Sequence, residues 1–166
     1  MRAKKAADER KSKWQSACLL VEDECLIRLW LANCLLDAGF DVIQTGDGDQ
    51  ALALQDTAAA FDLLITDIHM PCRADGNAVA IEAKRRHPRL PVIYATGRCE
   101  SLRNELAVCD ALVRKPYASA AMMTTVQRLL DIRNGAGWPR SDRDPDVAIA
   151  IEGLPRGERE TLLTMR

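Results

Sequence analysis

Five side chains far apart in the chain have the types needed for chemistry on one another: Glu22 and Asp23, Asp67, Thr96 and Lys115. Each ends or directly follows a short apolar run, and these runs are Ala17–Val21, Phe61–Thr66, Pro91–Ala95 and Ala111–Arg114. If the runs are parallel strands of one sheet, all five side chains fall on its carboxyl rim, where open α/β sheets bind their ligands. Three carboxylates crowded there repel unless something positive sits among them. A hard divalent cation with oxygen ligands answers that need, and Mg²⁺ suits one or two carboxylates plus water. Asp67 then doubles as a candidate nucleophile, because a carboxylate can form an aspartyl-phosphate. Mg²⁺ and Lys115 would neutralise the charge on a transferring phosphoryl group, and the Thr96 hydroxyl would hold one of its oxygens.

Taken singly, none of these residues means much. An Asp after a strand is ordinarily a turn or helix-cap residue, a Lys before Pro116 is ordinarily a surface charge, and Thr96-Gly97 is an ordinary turn. Their weight comes from the elements that must position them. Ala17–Val21 is continuously apolar, as in a strand buried on both faces. Ile27, Trp30, Leu31, Cys34 and Leu35 recur at helical spacing and predict an amphipathic helix, with Gly39 in its C-cap region. Phe40–Thr45 reads as a strand and Asp47–Thr57 as a helix. Phe61–Thr66 is a third strand, and Asn77–Arg86 is a helix closed by Pro88. A fourth strand, Pro91–Ala95, leads to a short helix over Ser101–Ala107. Ala111–Arg114 is a fifth strand, before a helix with Met122, Val126, Leu129 and Leu130 on one face.

Five strand–helix units in alternation specify an α/β fold, a parallel sheet with helices on both faces. In the flavodoxin-like order 2-1-3-4-5, the first and third strands are neighbours, which brings Glu22 and Asp23 next to Asp67.

The 166 residues suit one domain with modest extensions. Three segments are expected: a basic arm over 1–15, the domain over 16–132, and a tail over 133–166. With 48% hydrophobic and 28% charged residues the chain is ordinary for a soluble protein, and only 4% aromatics leaves the core to aliphatic side chains. A formal net charge of −1 gives no reason to expect nucleic acid or an anionic membrane as partner. Six scattered cysteines without a CxxC pair and two histidines, His69 and His87, offer little for structural zinc. The basic start lacks the apolar core of a secretory signal, and no apolar run reaches the roughly 20 residues of a membrane span, so a cytoplasmic protein is expected.

Leu19-Leu-Val-Glu-Asp-Glu24, Asp62-Leu-Leu-Ile-Thr-Asp-Ile-His-Met-Pro71, Thr96 and Arg114-Lys-Pro-Tyr117 resemble the ordered motifs of bacterial two-component response-regulator receiver domains. The resemblance runs from about Ala17 to Asp131 and implies a (βα)5 three-layer sandwich. It implies that Asp67 is the phosphoacceptor, that Asp23 and Asp67 ligate Mg²⁺ with Glu22 assisting, and that the His69 backbone carbonyl completes the protein ligands. Thr96 and Lys115 become the phosphate-contacting switch residues. The partner it implies is a sensor histidine kinase or phosphotransfer protein, with a further protein downstream. The domain would catalyse its own phosphorylation and slow dephosphorylation rather than turn over a substrate. His69 and Arg98, each two residues beyond Asp67 and Thr96, would flank the attacking water.

Three features depart from the common pattern. Leu112 stands three residues before the lysine, where receivers usually carry Tyr or Phe as a switch. Tyr94-Ala-Thr-Gly97 resembles the Phe-Ala-Thr-Gly signature of a subgroup of single-domain receivers, in which the loop after the fourth strand does the switching. The loop Cys72–Asp75 reads one residue longer than usual. Leu154–Leu163 resembles the opening helix of a sigma-factor-like helix-turn-helix, but no recognition helix follows; a docking tail or a homodimer contact fits the segment better than DNA binding. A flavin carrier would put a phosphate loop where Glu22-Asp-Glu24 stands. A phosphatase would place its aspartate after the first strand. A receiver-like scaffold that works without phosphorylation is the remaining alternative, and Leu112 is its support.

Overall fold

The computed structural model describes residues 16–57, 61–97 and 110–134. In chain order these form β1 (Ser16–Val21), α1 (Cys25–Asp37), β2 (Phe40–Thr45), α2 (Gly48–Thr57), β3 (Leu63–Asp67), α3 (Gly76–Arg86), β4 (Val92–Thr96), β5 (Asp110–Arg114) and α4 (Ser119–Arg133). The strands make one parallel sheet in the order β2-β1-β3-β4-β5. This is the expected flavodoxin-like arrangement. The expected arm over 1–15, the short helix over Ser101–Ala107, Arg98, and the tail beyond Asn134 lie outside the described residues.

The alternation of side chains along each strand divides the core into two layers. On one face Cys18, Leu20, Leu63, Ile65 and Ile93 meet Leu31, Ala32 and Leu35 of α1 and Met122, Val126, Leu129 and Leu130 of α4. On the other, Leu19, Val21, Leu64, Val92 and Tyr94 meet Ala51 of α2 and Val79, Ala80 and Ala83 of α3. β3 and β4 are buried along their whole length, which is why they read as unbroken apolar runs. Burial pushes the Cys18 thiol well above its ordinary range, so it acts as a small hydrophobe.

α1 corrects one expectation. The helical spacing placed Trp30 on the buried face, but Trp30 is 41% exposed and the buried stripe is Leu31, Ala32 and Leu35. The indole instead lies at the layer's edge against Tyr117, with ring centroids 5.9 Å apart. Gly39 at φ 87° follows α1, a left-handed position that glycine occupies without cost. α3 starts on an N-cap that the spacing did not reveal: the Asp75 carboxylate accepts from the Ala78 N–H at 2.8 Å.

Truncating the core should separate from truncating the surface. Leu129→Ala is expected to cost about 2–5 kcal/mol, whereas Ile81→Ala, at a 61% exposed position, should stay within about 0.5 kcal/mol. Urea unfolding measures both, and equal losses would contradict the two-layer core.

Candidate functional site

Each residue of the site is positioned by a strand end. β1 delivers Glu22 and Asp23, β3 ends on Asp67 itself, β4 ends on Thr96, and Lys115 follows β5. The ends are laced by the main chain: the Lys115 N–H donates to the Thr96 carbonyl at 2.8 Å, and the Glu22 N–H to the Thr45 carbonyl at 3.1 Å. All five side chains expected from the sequence therefore sit on one rim.

The Lys115 ammonium is the centre of the cluster. It donates to Asp67 Oδ2 at 2.6 Å and to Glu22 Oε1 at 2.8 Å, with Glu22 Oε2 at 2.7 Å and Glu24 Oε1 at 3.8 Å. The other Asp67 oxygen, Oδ1, accepts from the His69 N–H at 2.9 Å. Glu22 and Asp67 are buried, and Asp23 is half-buried. One carboxylate oxygen from each of Glu22, Asp23 and Asp67 lies within 4.8 Å of the other two. Three convergent carboxylate oxygens make a hard, anionic donor set, which fits a small divalent cation and not a soft one. Among the described residues this is the one such group. The Cys72 thiol accepts from the Gly48 N–H and donates to the Ala74 carbonyl, which ties the loop before α3 to the start of α2.

The electrostatics follow from burial. Burial raises the Glu22 carboxyl above its ordinary value, and the hydrogen bond and charge of Lys115 only partly offset this. Burial alone would lower the Lys115 ammonium, but the hydrogen bonds to Asp67 and Glu22 and their charges outweigh it and raise it. Tyr117 is pushed up to about 12, first by burial and then by the Glu22 charge. Its hydroxyl is buried without a hydrogen-bond partner among the described residues.

Thr96 is fully buried, and its Oγ1 lies 3.3 Å from His69 Nδ1, while the rest of His69 is exposed. Leu112 is half-buried beside Tyr94 in the second core layer. Two contributors were not singled out from the sequence. Gly76 lies so close beneath Asp67 that an added Cβ would fall on the Asp67 carbonyl oxygen and crowd Thr66 Oγ1. Arg28 donates to the Glu22 and Asp23 carbonyls at 2.6 and 3.3 Å. A glycine at the mouth of a helix and an arginine in its first turn are common in any chain, so spacing alone gave no signal.

Residues 18–127 match the response regulator receiver domain family. Among solved structures, the response regulator receiver protein from Sinorhizobium medicae superposes with a TM-score of 0.67 at 31% identity, over 71% of this chain and 96% of that one. The response regulator protein FleR of Pseudomonas aeruginosa is 33% identical over 79% of this chain, and the sensor kinase CckA of Brucella abortus 28% over 68%. The matches span only 27% of FleR and 12% of CckA.

Removing Lys115 leaves two buried carboxylates facing one another. Lys115→Ala should lower stability in divalent-free buffer by about 3 kcal/mol, and adding Glu22→Gln should restore part of it; additive losses in urea unfolding would contradict the cluster. Because the Lys115 value lies above the ordinary 10.5, its contribution should be complete below that pH and lost only as pH rises through the raised value. Gly76→Ala should cost at least about 2 kcal/mol in the same assay, as overpacking against main chain.

Proposed function

This chain belongs to the response regulator receiver domain family, and from that premise we propose that Asp67 accepts a phosphoryl group from the phosphohistidine of a sensor histidine kinase or phosphotransfer protein in the cytoplasm. The observation that carries this reading is the hydrogen-bonded cluster of Lys115 with Asp67 and Glu22, with Asp23 converging on the same point. Receiver domains work with such kinases and phosphotransfer proteins in two-component systems.

In the proposed transfer an Asp67 carboxylate oxygen forms the new O–P bond as the P–N bond to the donor imidazole breaks, and the imidazole keeps that electron pair. Lys115 is already in contact with Asp67 and offers its ammonium to a phosphoryl oxygen. The Thr96 hydroxyl, at the end of β4, offers a second donor. Glu22, Asp23 and Asp67, with the His69 carbonyl, would hold Mg²⁺, which would supply positive charge to offset that on the phosphoryl oxygens. Loss of the phosphoryl group as free phosphate is a separate step, in which water attacks the phosphorus and Asp67 leaves as its carboxylate. His69, exposed and two residues beyond Asp67, would govern that approach. Phosphorylation would be read out through contacts with another protein, as the near-zero net charge favours over DNA.

One observation favours a second reading. Leu112 is packed as a core aliphatic where receivers usually have a mobile aromatic, as a receiver-like scaffold independent of phosphorylation would allow. Intact-protein mass after incubation with a small phosphodonor, with and without Mg²⁺, separates the two. A phosphoryl adduct that needs Mg²⁺ and vanishes in Asp67→Asn is expected; Lys115→Ala should still accept some phosphate but lose its structural consequence. An adduct that persists in Asp67→Asn would overturn the site, and no adduct while a control receiver labels would favour the scaffold.

A further inference from the structure

Glu22 and Asp23 are consecutive, and in extended chain consecutive side chains point to opposite sides. Yet one oxygen of each converges with Asp67. The chain must therefore bend between β1 and α1, and something must hold the bend. Both carbonyls of that bend are engaged by one group: Arg28 Nη1 lies 2.6 Å from the Glu22 oxygen and 3.3 Å from that of Asp23.

The room for this guanidinium is made by Gly46, just after β2. A Cβ there would stand 2.5 Å from Arg28 Nη1 and 3.2 Å from its Cζ. Gly46 is not in the left-handed region, so the missing side chain answers to the guanidinium rather than to the backbone. Among the described residues Arg28 gives its hydrogen bonds to main chain and not to the neighbouring carboxylates. Arg28 therefore does not compete with a cation for those carboxylates.

We infer that Arg28 is a positioning residue for the divalent-cation site, its guanidinium, seated over Gly46, holding the bend that turns Glu22 and Asp23 toward Asp67. The inference rests on the reading of those three carboxylates as that site. Charge and positioning predict opposite signs. Deleting a nearby positive charge should by itself tighten the binding of a cation, whereas loss of a group that orients the ligands weakens it, typically tenfold or more.

The test is a calorimetric titration of the whole chain with Mg²⁺, alongside thermal unfolding in a chelator. Wild type, Arg28→Gln, Arg28→Lys and Gly46→Ala are compared. Arg28→Gln should weaken Mg²⁺ binding by roughly tenfold. Gly46→Ala keeps the charge but displaces the guanidinium, and it should weaken binding in the same direction. Arg28→Lys should recover part of the loss. If Arg28→Gln does not fold in the chelator, Gly46→Ala decides alone. Affinities in both variants within twofold of wild type, or tighter, overturn the role of Arg28. A wild type that binds no Mg²⁺ overturns the cation-site reading itself, which is a separate result.

Discussion

The contact of the Lys115 ammonium with Asp67 and Glu22 is the constraint on which the rest of the molecule depends. Two buried carboxylates with a third beside them are tolerable only with positive charge in their midst, and Lys115 supplies it at 2.6 to 2.8 Å. To bring that lysine there, β5 must reach the sheet edge beyond β4, and β1 and β3 must be neighbours. The strand order β2-β1-β3-β4-β5 does both. Apolar burial stabilises the sheet, but it is this cluster of charges that sets one rim of it apart.

The same contact explains why the supporting shell is tight. Asp67 sits on a strand end whose carbonyl leaves no room for a side chain at Gly76. The loop between them is stitched to α2 through Cys72. α3 is pinned in turn to β5 and α2 by ion pairs of Lys84 with Asp110 and of Arg86 with Asp56. Gly76 and the Cys72-held loop pack directly against the strand end that carries Asp67. In the proposed transfer Asp67 meets an incoming phosphorus in one geometry, and such preorganisation favours it.

Much of this was legible in the sequence because it is written in runs of residues. The apolar runs of β1, β3 and β4 and the Met122, Val126, Leu129, Leu130 stripe of α4 follow directly from burial on both faces and on one. The five rim residues were legible because strand ends are easy to find once the strands are. What escaped depends on contacts across the fold. Trp30 fits the α1 period, yet the period cannot say that Tyr117 holds the indole at the layer's edge. Gly76, Gly46 and Arg28 owe their importance to atoms of other elements, and nothing in their local spacing records it.

The central claim is that the carboxylates around Lys115 form a divalent-cation site at Asp67, the proposed acceptor. The most direct measurement is the anomalous signal of Mn²⁺, used in place of Mg²⁺, in crystals of the whole chain. A single peak within coordination distance of Asp23, Asp67 and the His69 carbonyl, with Lys115 still at the rim, is the predicted result. No peak there at saturating Mn²⁺, with Lys115 still bridging Asp67 and Glu22, would contradict it.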